Sequence, residues 1–232
     1  MFHFKCFSVD DAMCAMKVGT DGVLLGAWAD VSGARRILDI GTGSGLIALM
    51  AAQHNSMARI EAIDIDEGAV EQAQANIAMS SWSERISVSL SDVRAFASEH
   101  YFDHIVTNPP FFNHSLPSPD ERRAMARHCS SLSYDDIVAS AERLLCPGGR
   151  LSLILPADEA FAFRSAAFGH LWLRRETTIV TRAGDAPKRT MMEFVLCDEP
   201  LMPHVNTIAI HASNGEYSDE YRNLVGEYYL KF

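Results

Sequence analysis

Two short stretches hold the residue types most able to do chemistry. The first is Asn108-Pro109-Pro110-Phe111-Phe112, directly after the apolar run FDHIV and Thr107. Two prolines fix φ along it, so the side-chain carbonyl of Asn108 and the backbone carbonyl of Pro109 stand as pre-aimed hydrogen-bond acceptors beside aromatic faces. The second is Asp39-Ile40-Gly41-Thr42-Gly43-Ser44-Gly45. Its glycines permit a tight turn and let a ligand approach bare backbone, while the helix expected to follow offers free N–H groups. A dinucleotide fingerprint needs G-x-G-x-x-G, but the residue three after Gly43 is Leu46, so the spacing is D-x-G-x-G-x-G. Two further acids close apolar runs. Asp64 in IEAIDID falls 19 residues after Gly45, near the roughly 20-residue offset at which an acid meets ribose hydroxyls in related sheets. Asp92 in LSDVRAF, taken alone, reads as a cap or turn residue; Asp66 reads as a helix N-cap.

These residues need elements that bring them together, and the chain supplies an alternation. RRILDIG, RIEAIDID, ISVSLSD, FDHIVTN and RLSLILP read as strands; GLIALMAAQH, EGAVEQAQANIAM and YDDIVASAERLLCPGG read as helices, the last closed by glycine. Strands alternating with helices imply a mostly parallel sheet covered on both faces by right-handed crossovers. RETTIVTRA and RTMMEFVLCD follow one another without a helix between them, which predicts an antiparallel hairpin on the sheet edge. In such sheets ligands sit beyond the carboxyl ends of the strands, where strand order reverses, and every acid and loop above falls at such an end.

Composition limits the partners. The 232 residues carry 20 Lys+Arg against 30 Asp+Glu, a formal net charge of −10, which disfavours sequence-blind attraction to nucleic acid or anionic membrane. The five cysteines are scattered and never in C-x-x-C spacing, so no disulfide framework and no metal site are expected. No signal-peptide h-region and no run approaching 18 apolar residues is present, so a cytoplasmic protein without membrane contact is expected. We expect one domain: residues 1–34 as an N-terminal segment covering the cofactor site, 35–200 as the core, and 201–232 as a C-terminal extension.

The D-x-G-x-G-x-G loop closely resembles that of S-adenosylmethionine-dependent methyltransferases, and NPPF at the end of the fourth strand resembles their [DNS]-P-P-[FYW] signature for planar amines. The resemblance implies a Rossmann-like class I fold with a mostly parallel seven-stranded sheet and an antiparallel edge hairpin. It implies S-adenosylmethionine as cofactor, held by Thr20, Asp39, Gly41, Gly43, Gly45, Asp64, Ile65, Asp92, Val93 and Asn108. Asn108, Pro109, Pro110 and Phe111 become the catalytic group. An amine conjugated to a ring or carbonyl is a poor nucleophile, and two carbonyl acceptors favour a pyramidal nitrogen while Phe111 stacks on the ring. No general base is demanded, since the proton can leave to water after transfer.

MKVGTDGVLLGAWA, NPPFF, RRAMARH and CPGGRLSLILP together resemble the bacterial tRNA(Val) adenine-N6 methyltransferases, which act on the adenine 3′ of the anticodon. The resemblance implies that Thr20 and Asp21 begin a helix closing over the methionine end of the cofactor; helix capping is their plainer reading. For the tRNA anticodon stem-loop, Phe112, Arg122, Arg123, Arg127, Lys188 and Arg189 are expected to form a rim, joined by Arg174, Arg175 and Arg182, with the target adenine flipped out to Asn108. A monomer is expected. Methylation of another planar amine, in rRNA or a protein glutamine, and a non-catalytic cofactor- or RNA-binding module remain the alternatives. Against a release-factor glutamine methyltransferase, only 36 residues precede the strand beginning at Ile37.

Overall fold

The computed structural model describes residues 1–110 and 132–231. A two-stranded hairpin, β1 (Phe2–His3) and β2 (Ser8–Val9), precedes helix α1 (Thr20–Trp28). Then come β3 (Arg36–Ile40), α2 (Leu46–His54), β4 (Arg59–Asp64), α3 (Glu67–Ala78), β5 (Ile86–Leu90) and β6 (Phe102–Thr107). After the undescribed stretch follow α4 (Tyr134–Leu144), β7 (Leu145–Pro156), α5 (Ala160–Ala167), β8 (Trp172–Arg182), β9 (Arg189–Val195), β10 (His204–His211) and α6 (Asp219–Val225).

One sheet of eight strands runs in the order β10-β8-β9-β7-β6-β3-β4-β5. Only β9 is antiparallel to its neighbours. The chain leaves β3 towards β4 on one side and returns to β6 on the other, so strand order reverses between β3 and β6. The crevice rule places a ligand at their carboxyl ends.

Side-chain alternation feeds a separate core on each face. Ile37, Ile60, Val106, Ile154 and Met191 face α1, α2, α3 and α6; Leu38, Ile63, Ile105, Leu153 and Met192 face α4 and α5. α1 sits tightly on α2, because a Cβ on Gly26 would meet the Met50 sulfur at 2.6 Å.

Three expectations need correction. The sheet has eight strands rather than seven, because His204–His211 pairs in parallel with β8 through seven register positions. The β8–β9 hairpin therefore lies inside the sheet and not on its edge, which β10 occupies. Finally, α4 ends at Leu144 instead of running to the glycines. Gly148 donates its N–H to Leu196 O, and Gly149 O accepts from Leu196 N, so the CPGG stretch extends β7 along its partner.

Candidate functional site

The end of β3 turns sharply. Gly41, Gly43 and Gly45 have φ of +70°, +55° and +80°, a left-handed series that L side chains rarely adopt. The turn is tied to the neighbouring strand: Gly41 N and Thr42 N both donate to Ile63 O at 2.9 and 3.0 Å, and Gly43 N donates to Asp64 Oδ2 at 2.8 Å. Asp64 Oδ1 accepts from Asp66 N at 3.0 Å. The Asp64 carboxylate thus holds the glycine turn against the end of β4, still partly open to solvent. Ile65, next in the chain, is 62% exposed, an apolar face left at the strand end.

Asp39 is 1% exposed. Its Oδ2 accepts from Thr42 Oγ1 at 2.6 Å and from Ala48 N at 3.2 Å, while Oδ1 is buried with no partner among the described residues. Burial pushes its carboxyl up to about 7, against the hydrogen bonds from Thr42 and Ala48, with a further upward push from the charge of Asp64. An orphaned buried carboxylate oxygen is a site that calls for a donor.

Asn108 follows Thr107, which pairs with Ile40 across β6 and β3 and donates Oγ1–H to Ile40 O at 2.9 Å. That register ends β3 and β6 level with one another, so Asn108 and the glycine turn leave the sheet at the same end from adjacent strands. Its side-chain Oδ1 is also buried, with no partner among the described residues; Pro109 is buried and Pro110 exposed. Phe111, Phe112, Arg122, Arg123 and Arg127 lie outside the described residues.

At the end of β5, Val93 is buried and Asp92 is gripped by Arg94, which donates its backbone N–H and guanidinium to the carboxylate. Those bonds hold Asp92 below the usual carboxylate range. Asp66 caps α3 by accepting from Ala69 N at 2.8 Å. The N-cap of α1 is Gly19, so Thr20 is the first helical residue and an exposed one. Asp21 Oδ2 accepts from Arg189 Nε at 2.7 Å.

Two polar residues that sequence reasoning missed lash the N-terminal segment over this edge. Asn76, 1% exposed on α3, donates Nδ2 to Asp10 O at 2.7 Å and to Ser44 O at 2.8 Å, and its Oδ1 accepts from Asp10 N at 2.9 Å. Gln72, one turn earlier, accepts from Met13 N at 3.3 Å. Their spacing in EQAQANIA, i and i+4 on one helix face, was the available signal. Cys14, in the same segment, is kept a neutral thiol by burial and by the charges of Asp64 and Asp11, which raise it to about 11.

The expected basic rim divides by strand direction. Lys188 and Arg189 begin the antiparallel β9 and stand at the site edge, where Arg182 ends β8. Arg174 and Arg175 begin β8 at the opposite edge and are committed elsewhere. Both engage Glu193, whose side chain is 0% exposed, together with Arg150; Arg175 also lies 3.8 Å from the centre of the Trp28 ring.

Comparison with known proteins places the chain among methyltransferases. The model of the "Methyltransferase small domain" family matches residues 15–170. A protein of Phocaeicola vulgatus named tRNA1(Val) (adenine(37)-N6)-methyltransferase is 50% identical over 231 residues, 99% of this chain and 97% of its own. One of the same name from Bacteroides thetaiotaomicron is 45% identical, with the same coverage. Among solved structures, a predicted O-methyltransferase from Agrobacterium tumefaciens superposes with a TM-score of 0.70 at 20% identity, covering 90% of this chain and 96% of that one. TrmN from Thermus thermophilus gives 0.53 at 26% identity, covering 78% of this chain and 48% of that one. A class I methyltransferase sheet, a glycine turn tied to an acid and a family match across two thirds of the sequence converge: the chain belongs to the methyltransferase small domain family.

Proposed function

We propose that this protein methylates the exocyclic N6 of an adenine in tRNA with S-adenosylmethionine as donor, and that the target is adenine 37 of tRNA1(Val). Its full-length relatives carry that name, and the observation that carries the reading here is the buried Oδ1 of Asn108, unpartnered among the described residues, at the same end of the sheet as the glycine turn.

The residues fit the cofactor. S-adenosylmethionine offers three kinds of hydrogen-bond donor, and three acids stand at successive strand ends. Asp39 Oδ1, buried and without a donor, suits the ammonium of the methionine end; Asp64 suits the ribose hydroxyls; Asp92 suits the adenine amine, between the apolar flanks of Ile65 and Val93. Gly41, Gly43 and Gly45 leave bare backbone at three of the turn's five positions, and Thr20 opens the helix at the methionine end. When bound, the cofactor supplies an electrophilic methyl group on a sulfonium.

Asn108 Oδ1 and Pro109 O accept the two N–H bonds of the target amine, drawing its lone pair out of conjugation with the ring. Phe111 stacks on the adenine, and the prolines hold both acceptors in place before the substrate arrives, so most of the advantage is orientation. The proton leaves to water after transfer. Phe112, Arg122, Arg123, Arg127 and Lys188 serve the RNA, and the enzyme works as a cytoplasmic monomer without a metal. Among the described residues no helix is long and apolar enough to cross a membrane.

The test is methyl transfer from labelled S-adenosylmethionine into bulk tRNA from a strain lacking the gene, with nucleoside analysis. N6-methyladenosine in tRNA is the expected product. Label confined to rRNA or protein would overturn the substrate while leaving the reaction class standing.

A further inference from the structure

We propose that Arg189 is a positioning residue for the methyl donor, acting through Asp21, and not a ligand of RNA phosphate. The proposal rests on S-adenosylmethionine being the cofactor. Arg189 Nε donates to Asp21 Oδ2 at 2.7 Å across 168 residues of sequence, and both side chains are largely shielded, 32% and 22% exposed. Its Nη1 donates to Lys188 O at 3.0 Å, which fixes the guanidinium at the head of β9.

What the pair joins gives it a role. Asp21 lies in the first turn of α1, where an acid is also favoured by the helix dipole. The next residue, Gly22, is pressed onto α2: a Cβ there would meet Leu46 Cδ2 at 3.0 Å, and Leu46 directly follows the glycine turn. The first turn of α1 therefore packs directly against the residue that closes the glycine turn. Its N-cap, Gly19, makes no side-chain cap bond, so the turn gains no anchor from its own cap. Arg189 provides one from the far side. It pairs in register with Pro156 at the end of β7, three residues beyond Leu153, the partner of Thr107, so it stands two strands across from the end of β6 and three residues further along, roughly 14 Å away. The ion pair thus ties the first turn of α1 to the same end of the sheet that carries Asn108. Nε and Nη1 of Arg189 are already committed to Asp21 and to Lys188 O, whereas the neighbouring Lys188 is exposed on the same edge and is the cation suited to RNA.

The discriminating experiment measures two affinities on the full chain: S-adenosylmethionine by calorimetry without RNA, and an anticodon stem-loop by fluorescence anisotropy. Arg189→Ala and Asp21→Ala are each expected to weaken cofactor binding about tenfold, with the double variant no worse than either, while RNA affinity stays within about twofold. Arg189→Lys should fall between wild type and Arg189→Ala, since an ammonium keeps the charge and loses the fork. Unchanged cofactor affinity with weakened RNA binding in Arg189→Ala would return the residue to the phosphate rim and overturn the proposal; so would losses that multiply in the double variant. The exchanged pair Asp21→Arg/Arg189→Asp gives a second check that tolerates a poorly folding single variant. Cofactor affinity near wild type supports the tie, and a loss as severe as that of Asp21→Arg alone overturns it. Failure of the unaltered chain to bind S-adenosylmethionine would overturn the cofactor reading first, and this inference with it.

Discussion

Asp64 Oδ2 accepts the backbone N–H of Gly43 at 2.8 Å, so one carboxylate shapes the glycine turn while staying partly open to solvent. Asp64→Ala is expected to weaken S-adenosylmethionine binding by about 1 to 3 kcal/mol, because a ligand hydroxyl loses its acceptor and the turn loses its tie. Titration calorimetry checks this. An unchanged dissociation constant would remove Asp64 from the site.

Asn108→Ala separates binding from transfer. It removes the acceptor that aims the target amine and leaves the glycine turn intact, so methyl transfer is expected to be abolished while cofactor affinity stays within a few fold. Single-turnover assays alongside calorimetry read the two quantities. Full activity in this variant would sink the proposed role of the loop.

Asn76 makes three hydrogen bonds from a buried position. Asn76→Ala leaves Asp10 N, Asp10 O and Ser44 O without that partner, which is expected to lower stability by about 1 to 3 kcal/mol. It should also weaken cofactor binding, since Ser44 belongs to the glycine turn. Urea unfolding followed by calorimetry on the folded variant tests both.

The buried carboxyl of Asp39 gives cofactor affinity a pH dependence. Its folded value near 7 lies above the ordinary 3.8, so the free protein is stabilised below 3.8 and loses that contribution as pH rises towards 7. The bound ammonium favours the ionised carboxylate, so S-adenosylmethionine affinity is expected to rise with pH up to about 7 and then level off. Asp39→Asn should bind weakly without that slope. A wild-type affinity flat between pH 5.5 and 8 would contradict the assignment.

His104 titrates with the opposite sign. Burial, then the charge of Arg150, press it down to about 3 from 6.5, and its Nε2 lies 2.8 Å from Ser152 Oγ. The unfolded chain takes up that proton first, so its contribution is present above pH 6.5 and is lost as pH falls towards 3. Chemical unfolding across that window should show the stability of wild type converging on that of His104→Asn with acid. A constant gap would refute it.

Much of this arrangement was legible in the sequence, for definite physical reasons. β3, β4 and β6 each end an apolar run on Asp, Asp or Thr-Asn, so period and punctuation together marked the strand ends where chemistry gathers. β10 was not legible: HVNTIAIH mixes polar residues at edge positions with few buried apolar ones, and only Ile208 is fully part of the core. The destinations of the arginines were hidden as well. A basic residue at the start of β8 and one at the start of β9 look alike in sequence, yet the two strands run oppositely, so Arg174 and Arg189 finish at opposite edges of the sheet. Asn76 escaped because its partners are backbone atoms of distant segments, which composition does not register.

The parallel seat of β10 on β8 decides which strand the sheet presents at that edge. β8 is eleven residues long and includes the run Thr177–Val180, a length of open ladder that would invite pairing with another chain. β10 consumes that ladder and presents outward a strand bearing His204, Asn206 and His211, shorter and more polar than the one it covers. A chain ending before position 204 would therefore leave β8 as the sheet edge, the longer of the two strands and the one with more ladder open to pairing with another strand.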